Sequence, residues 1–240
     1  MHDGTHVCDY LLANDIEQNP VPGYKLINFE NGYGDLHIVV DHDTARLTTW
    51  QSGTALVICD VYNNKTHELY NIAPRSILRK QIDVCSNMGY NCMAASELEY
   101  YTYHTTYHNA SKNDYRKSCI NPVSDYLEDY HLLQTYKEEP YTSVFRQHLQ
   151  SSGIPVENSK GEAGIGQHEL NISYSDILQM CDRHTVYKQC IKEISHDLGI
   201  SVSFMAKPYT DSTGSGCHIH LSLHDANQNN KNIFAGDQCI

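Results

Sequence analysis

The chain has 240 residues, with 17 Lys and Arg against 29 Asp and Glu, for a formal net charge of −12 at pH 7. It contains no run of basic residues, so its field repels polyanions and nucleic acid is not an expected partner. Nine cysteines are scattered without a C-x-x-C pair, which signals neither a zinc ribbon nor a redox dithiol and fits a reducing compartment. No apolar run approaches membrane-spanning length, and MHDGTHVCDY lacks a basic-then-apolar leader, so a cytoplasmic protein without membrane contact is expected.

In chain order, the first seventy or so residues read as strands and turns. NPVPGYKLINFENGYGD (19–35) is dense in Pro, Gly and Asn and suits a long loop. LHIVVD (36–41) and TALVICDVY (54–62) are β-branched runs bounded by turn residues, hence strands. The pattern then changes: Pro74 suits a first helical turn, Ile77, Leu78, Ile82, Val84 and Cys85 follow roughly helical spacing, and Gly89 is placed to end the helix. A domain boundary falls near Ile72. NCMAASELEYYTY (91–103) reads as a strand, followed by a polar, Tyr-rich stretch with a helix expected at SDYLEDYHLLQTYKEE. Residues 156–174 form a strand, a glycine-rich turn and a second strand. Ser175 can cap a helix whose apolar stripe is Ile177, Cys181, Tyr187, Ile191, Ile194 and Leu198, with Gly199 as its stop. ISVSFMAKPY is one more strand, leading through TDSTGSG into CHIHLSL. Helices alternating with strands in this second region argue an α/β or α+β domain of catalytic size.

Three places could carry chemistry. In GSGCHIHLSL, alternate residues of a strand share a face, so His218, His220 and Ser222 point one way, and Cys217, Ile219, Leu221 and Leu223 form a face that looks like core. The histidines are either half-buried and hydrogen-bonded on the sheet or ligands in need of partners. In ASELEYYTY, Glu97 and Glu99 share a face opposite Leu98 and Tyr100. Two adjacent carboxylates repel unless a cation or a proton lies between them, or unless that face is simply solvated. In GEAGIGQHEL, Glu162 and Glu169 flank a turn that could bring both carboxylates to one end of two strands, or could be a solvated hairpin tip. Four carboxylates with an imidazole suit Mg²⁺ or Mn²⁺ better than zinc, and magnesium in turn suggests phosphate chemistry. Lys207 and the Gly214–Gly216 turn could approach phosphate oxygens, although neither a Walker lysine motif nor a dinucleotide glycine fingerprint is present.

Taken in order, ASELEYYTY, ENSKGEAGIGQHEL, SDILQMCDRHTVYKQCIKEI, FMAKPY and GSGCHIHLSL resemble the glutamine synthetase family, in its type I branch and the related glutamate–amine ligases. GYGDLHIVVDHDTARLTTWQSGTALVICDVY is similar to the family's small N-terminal domain. The resemblance implies an α+β chain: a partial β-grasp-like domain over 1–72, then a C-terminally incomplete α/β catalytic barrel over 73–240. It implies ATP and two divalent cations, Mg²⁺ or Mn²⁺. Glu99, Glu162 and Glu169 match ligands of the first cation and Glu97 and His218 ligands of the second. Glu157 and Ser222 match nucleotide contacts, His220 lies beside the transferring phosphoryl group, and Gly214 lies on the glutamate side. The implied activity joins glutamate to ammonia through a γ-glutamyl phosphate, with Glu162 and His220 at the chemistry, in a homo-oligomeric ring such as a dodecamer when full length.

Two departures bear on the acceptor. The main ammonium-using branch carries Asp-Gly-Ser-Ser in the small-domain loop where this chain reads GYKLINFENGYGD, and Asn where it has Thr213. FMAKPY and TGSGCHIH resemble ligases of polyamines or other amines, which stand as the alternative reading. The family's phosphate-clamping arginines would lie past Ile240 and further sequence before VCDYLL, so the resemblance implies truncation at both ends. A non-catalytic family member kept as a structural protein is the competing class.

Overall fold

The computed structural model describes residues 4–24 and 27–235. The outer ends of both expected domains, and Lys25 and Leu26 of the 19–35 loop, lie outside the described residues. The chain divides into two compact units: Met1–Ala45 with Leu56–Tyr90, and Arg46–Ala55 with Asn91–Ile240.

The first unit is built on a three-stranded sheet in the order β1 (Thr5–Cys8), β2 (Asp35–Leu47), β3 (Ala55–Asn63), with helix α1 (Pro74–Asn87). Pro74 stands in the first turn of α1 and Gly89 follows it at φ +86°, the left-handed conformation that glycine adopts without a Cβ clash. Arg75 and Arg79, one helical turn apart, both reach Asp41 of β2 and Asp60 of β3. Arg75 Nη2 lies 2.7 Å from Asp41 and Nη1 2.5 Å from Asp60, and Arg79 Nη2 lies 2.9 and 2.8 Å from the same two carboxylates. This largely buried network ties the helix to the sheet. Hydrogen bonding from Arg75 outweighs burial and holds the Asp41 carboxyl below its ordinary 3.8.

The second unit opens with β4 (Tyr90–Tyr103) and continues through α2 (Tyr107–Lys112), α3 (Leu132–Ser151), β5 (Val156–Gly161), β6 (Gln167–Ile172), β7 (Ser175–Asp176), α4 (Ile177–Asp197), β8 (Ser201–Ser203), β9 (Cys217–Asp225) and β10 (Lys231–Asn232). Among the described residues the sheet runs β10-β9-β4-β6-β5, with β7 and β8 also pairing with β4. The strand β4 is thus its spine. Leu98 and Tyr100 of β4 and Leu170 and Ile172 of β6 are buried together with Phe145 and Leu149 of α3 and Tyr187, Ile191 and Ile194 of α4. Contacts such as Tyr100–Phe145, with ring centroids 6.5 Å apart, make this the core. The hairpin tip between β2 and β3 belongs to the same unit: Thr49 Oγ1 meets His148 Nδ1 at 2.9 Å and Trp50 Nε1 donates to Glu193 Oε2 at 2.5 Å.

Several sequence expectations need correction. The helix expected from Ser124 begins only at Leu132 and runs through Pro140 to Ser151. Residues 127–129 instead pair with the 162–165 turn, through a Leu127–Ile165 bridge and donation from the Glu128 and Asp129 amides to Glu162 O. Burial of Phe145 and Leu149 beyond the proline outweighs the lost hydrogen bond. Asp176, not Ser175, caps α4, its Oδ1 accepting from Gln179 N at 3.0 Å. The buried stripe of α4 follows Met180, Val186, Tyr187, Cys190, Ile191 and Ile194, while Cys181 and Leu198 are exposed. The strand expected over 200–209 lasts only from Ser201 to Ser203. On β9 the supposed core face is open, with Ile219 68 % and Leu221 55 % exposed, because alternation sorts residues into faces without saying whether either is covered.

Replacing Arg75 with Ala leaves Asp41 and Asp60 sharing one arginine, and chemical denaturation should report a loss of roughly 2–4 kcal/mol, just below that for a fully buried pair. Because folded Asp41 titrates below 3.8, its pairing stabilises fully above that value and fades as pH falls through the lowered one. The gap between wild type and Arg75→Ala should therefore shrink in acid.

Candidate metal and phosphate site

The register of two strands places the site. In the antiparallel β4–β6 pair Glu97 faces Asn171, Glu99 faces Glu169 and Tyr101 faces Gln167. Side chains alternate, so these six share one face of the sheet while Leu98, Tyr100, His168 and Leu170 share the helix-covered face. β5 adds Lys160 opposite Glu169, and Glu162 follows at its end. From the other side of β4, Glu99 N donates to Gly216 O at 3.2 Å, which sets His218 and His220 of β9 beside Glu97.

The result is two overlapping groups of possible ligands, Glu97, Glu99 and His218, and Glu99, Glu162 and Glu169, with one ligand atom from each residue within 4.8 Å of the others in its group. Each Glu97 oxygen faces one imidazole, Oε1 against His218 Nδ1 and Oε2 against His220 Nε2, both at 3.0 Å. Lys160 Nζ reaches Glu162 Oε1 at 3.3 Å and Glu169 Oε2 at 3.2 Å. Partial burial pulls the Lys160 pKa down, yet Glu169 and then Glu162 more than offset it and hold the ammonium above the ordinary lysine range. Burial, and then the neighbouring Glu169, raise Glu162 above the usual carboxylate range.

A divalent cation fits this donor set. Oxygen-rich ligands around shared carboxylates suit hard ions such as Mg²⁺ and Mn²⁺, and Glu99 is common to both groups. Gly216 lies against the same ligands: a Cβ there would lie 2.8 Å from Glu99 Oε1 and 3.0 Å from His218 Nε2, so a larger residue would push these two side chains aside.

Among the remaining expected residues, Gly214 lines the same side, its carbonyl accepting from Gln167 Nε2 at 2.9 Å. Ser222 sits further along β9 with its hydroxyl 3.1 Å from His224 Nε2. Glu157 is exposed at the irregular start of β5 and joins neither group. Sequence reasoning missed Gln167, which is fully buried, donates to Glu99 Oε2 at 3.0 Å and accepts from Gly164 N at 2.9 Å. It also missed Asn171, whose amide donates to Glu169 Oε1 at 2.8 Å. The available signal was period two: Gln167, Glu169 and Asn171 alternate along a single strand. Beside Gln167, Tyr101, Tyr103, Ile120, Pro122, Ile165 and Tyr209 line a pocket of about 320 Å³.

These features coincide with a family match. Residues 71–239 match the glutamine synthetase catalytic domain, and the chain belongs to the glutamine synthetase family. It is 39 % identical over 230 residues to the γ-glutamylethanolamide synthetase of Streptomyces coelicolor, covering 96 % of this chain and 49 % of that protein. It is 34 % identical to a Pseudomonas glutamate–isopropylamine ligase, covering 93 % and 48 %. A ligand-free structure of GmaS has the same fold, with a TM-score of 0.74, 23 % identity, and 85 % of this chain and 46 % of that one aligned. The chain spans about half the length of the curated relatives it matches.

Because Glu99 serves both ligand groups, Glu99→Gln should weaken Mn²⁺ binding, followed by electron paramagnetic resonance, at least tenfold. Loss of Glu157, which joins neither group, should leave it within about twofold.

Proposed function

We propose that the protein is an ATP-dependent ligase that joins glutamate to an amine through a γ-glutamyl phosphate. The observation that carries this reading is the pair of carboxylate groups sharing Glu99, with His220 at their edge. Bound Mg²⁺ or Mn²⁺ would supply charge neutralisation for the ATP phosphates and the developing acyl phosphate. Glu99, Glu162 and Glu169 would hold one ion and Glu97 and His218 the other, with His220 beside the transferring group. Glu157 and Ser222 are read as nucleotide contacts and Gly214 as part of the glutamate pocket. Gln167 orients Glu99 and the Gly214 carbonyl together. Phosphorylation of the glutamate side chain turns a poor leaving oxide into a good one, after which the amine displaces phosphate.

For the acceptor, we favour a small organic amine over ammonia. The pocket beside Gln167 supports this, since tyrosines with Ile120, Pro122 and Ile165 offer an apolar wall to an alkyl group. The relatives above act on ethanolamine-type and isopropylamine acceptors, as their names state. Ammonia is the second reading, supported by more distant glutamine synthetases such as that of Bradyrhizobium diazoefficiens, at 28 % identity. The β1-β2-β3 sheet, within 1–72, is read as the β-grasp-like small domain, 73–240 as the catalytic domain, and the whole as a cytoplasmic ring.

Phosphate release from ATP by the purified full-length protein, with glutamate and Mg²⁺, tests this. Ethanolamine, isopropylamine or methylamine should stimulate release more than ammonium at equal concentration, and Glu162→Gln should lower it at least a hundredfold. Stimulation by ammonium alone would select the second reading. No release with any acceptor would sink the ligase reading.

A further inference from the structure

A second group of ligating side chains lies on the opposite face of the same sheet. Glu128, from the segment before α3, Glu138 of α3 and His168 of β6 are 0–1 % exposed, and a ligand atom from each lies within 4.8 Å of the other two. His168 Nδ1 is 3.1 Å from Glu138 Oε2. His168 sits next to Glu169 in β6 and points the other way, so the two sites stand back to back across one strand.

What sets the group apart is that it is unsatisfied. Beyond the approach of His168 Nδ1 to Glu138 Oε2, the carboxylate oxygens and ring nitrogens are buried without a hydrogen-bond partner. Buried polar groups are normally paired, and two carboxylates in contact repel unless something positive lies between them. A proton shared between Glu128 and Glu138 would pair one oxygen of each, whereas a cation also uses the remaining lone pairs and the imidazole nitrogen.

We propose that Glu128, Glu138 and His168 form a structural zinc site. Two carboxylates and a neutral imidazole balance a divalent charge within the site. Full burial leaves no place for the several waters that Mg²⁺ retains, and three residues fall short of the six to eight oxygens of Ca²⁺. Zinc accepts imidazole nitrogen and carboxylate oxygen at about 2.0–2.2 Å, and one carboxylate binding through both oxygens would bring the donor atoms to four. Ligand atoms already within 4.8 Å of one another need only close around the ion. The ion would brace the other face, since the Glu128 and Asp129 amides both hold the Glu162 carbonyl. Gly161 lets this loop pack closely, as a Cβ there would lie 2.5 Å from Glu128 Cβ. The site stands or falls independently of the ligase reading.

The test is metal content of the purified full-length protein by mass spectrometry, after an EDTA wash that removes weakly held ions. About one zinc per chain should remain, and Glu138→Gln and His168→Gln should each retain less than a tenth of it. In wild type, 1,10-phenanthroline should remove the zinc and lower the melting temperature, and added zinc should restore it. If the variants fail to fold, X-ray absorption on the wild-type protein replaces them, and a shell of one nitrogen with oxygens supports the site. A folded wild type that holds no zinc even after incubation with the ion and desalting overturns it. Zinc content unchanged in folded Glu138→Gln and His168→Gln, or a sulfur-containing shell, overturns it equally.

Discussion

Everything in the second unit hangs on the pairing of β4 with β6, in which Glu99 meets Glu169 and Leu98 meets Leu170. With a side-chain period of two, one register gives a dry face and a charged face at once. A slip by one residue would turn Leu170 and Ile172 toward the ligand groups and bury Glu169 against Phe145 and Tyr187. The apolar contacts of α3 and α4 therefore do more than stabilise the sheet. They specify which carboxylates meet.

The charged face is ordered by its own contacts. Lys160 is drawn between Glu162 and Glu169, and Gln167 and the Gly216 amide donate to Glu99 Oε2. Burial still leaves Glu162 raised. Such a donor set would suit an added cation, because hydrogen bonds orient its ligands in advance. Gly216 contributes by what it lacks, since a Cβ there would displace the Glu99 and His218 side chains.

On the other face, the packing of α3 brings a different chemistry together. Glu138 comes from a helix, Glu128 from an irregular segment and His168 from a strand. They are separated in sequence by ten and by thirty residues, counted from the numbering. Nothing in the local pattern around any one of them distinguishes it from a surface acid or a lone core histidine. Their proximity follows from Tyr100 and Phe145 pulling α3 onto the sheet.

Local order was legible where one physical signal dominated. Pro74 and Gly89 bound α1, alternation put Glu97 with Glu99 and His218 with His220, and the glycine-rich turn between Glu162 and Glu169 joins adjacent strands. The five ordered segments pointed to the family, because their spacing reflects a shared site. The sequence could not say which faces were covered, so Ile219 and Leu221 passed for core. Nor could it say where a helix begins when tertiary pairing claims residues 127–129. Composition and period determined the strands and their faces, since these depend on neighbours in the chain. Only the tertiary structure decided the partners of Glu99, the burial of Gln167 and the meeting of Glu128, Glu138 and His168, because those contacts depend on register and helix packing between residues far apart in sequence.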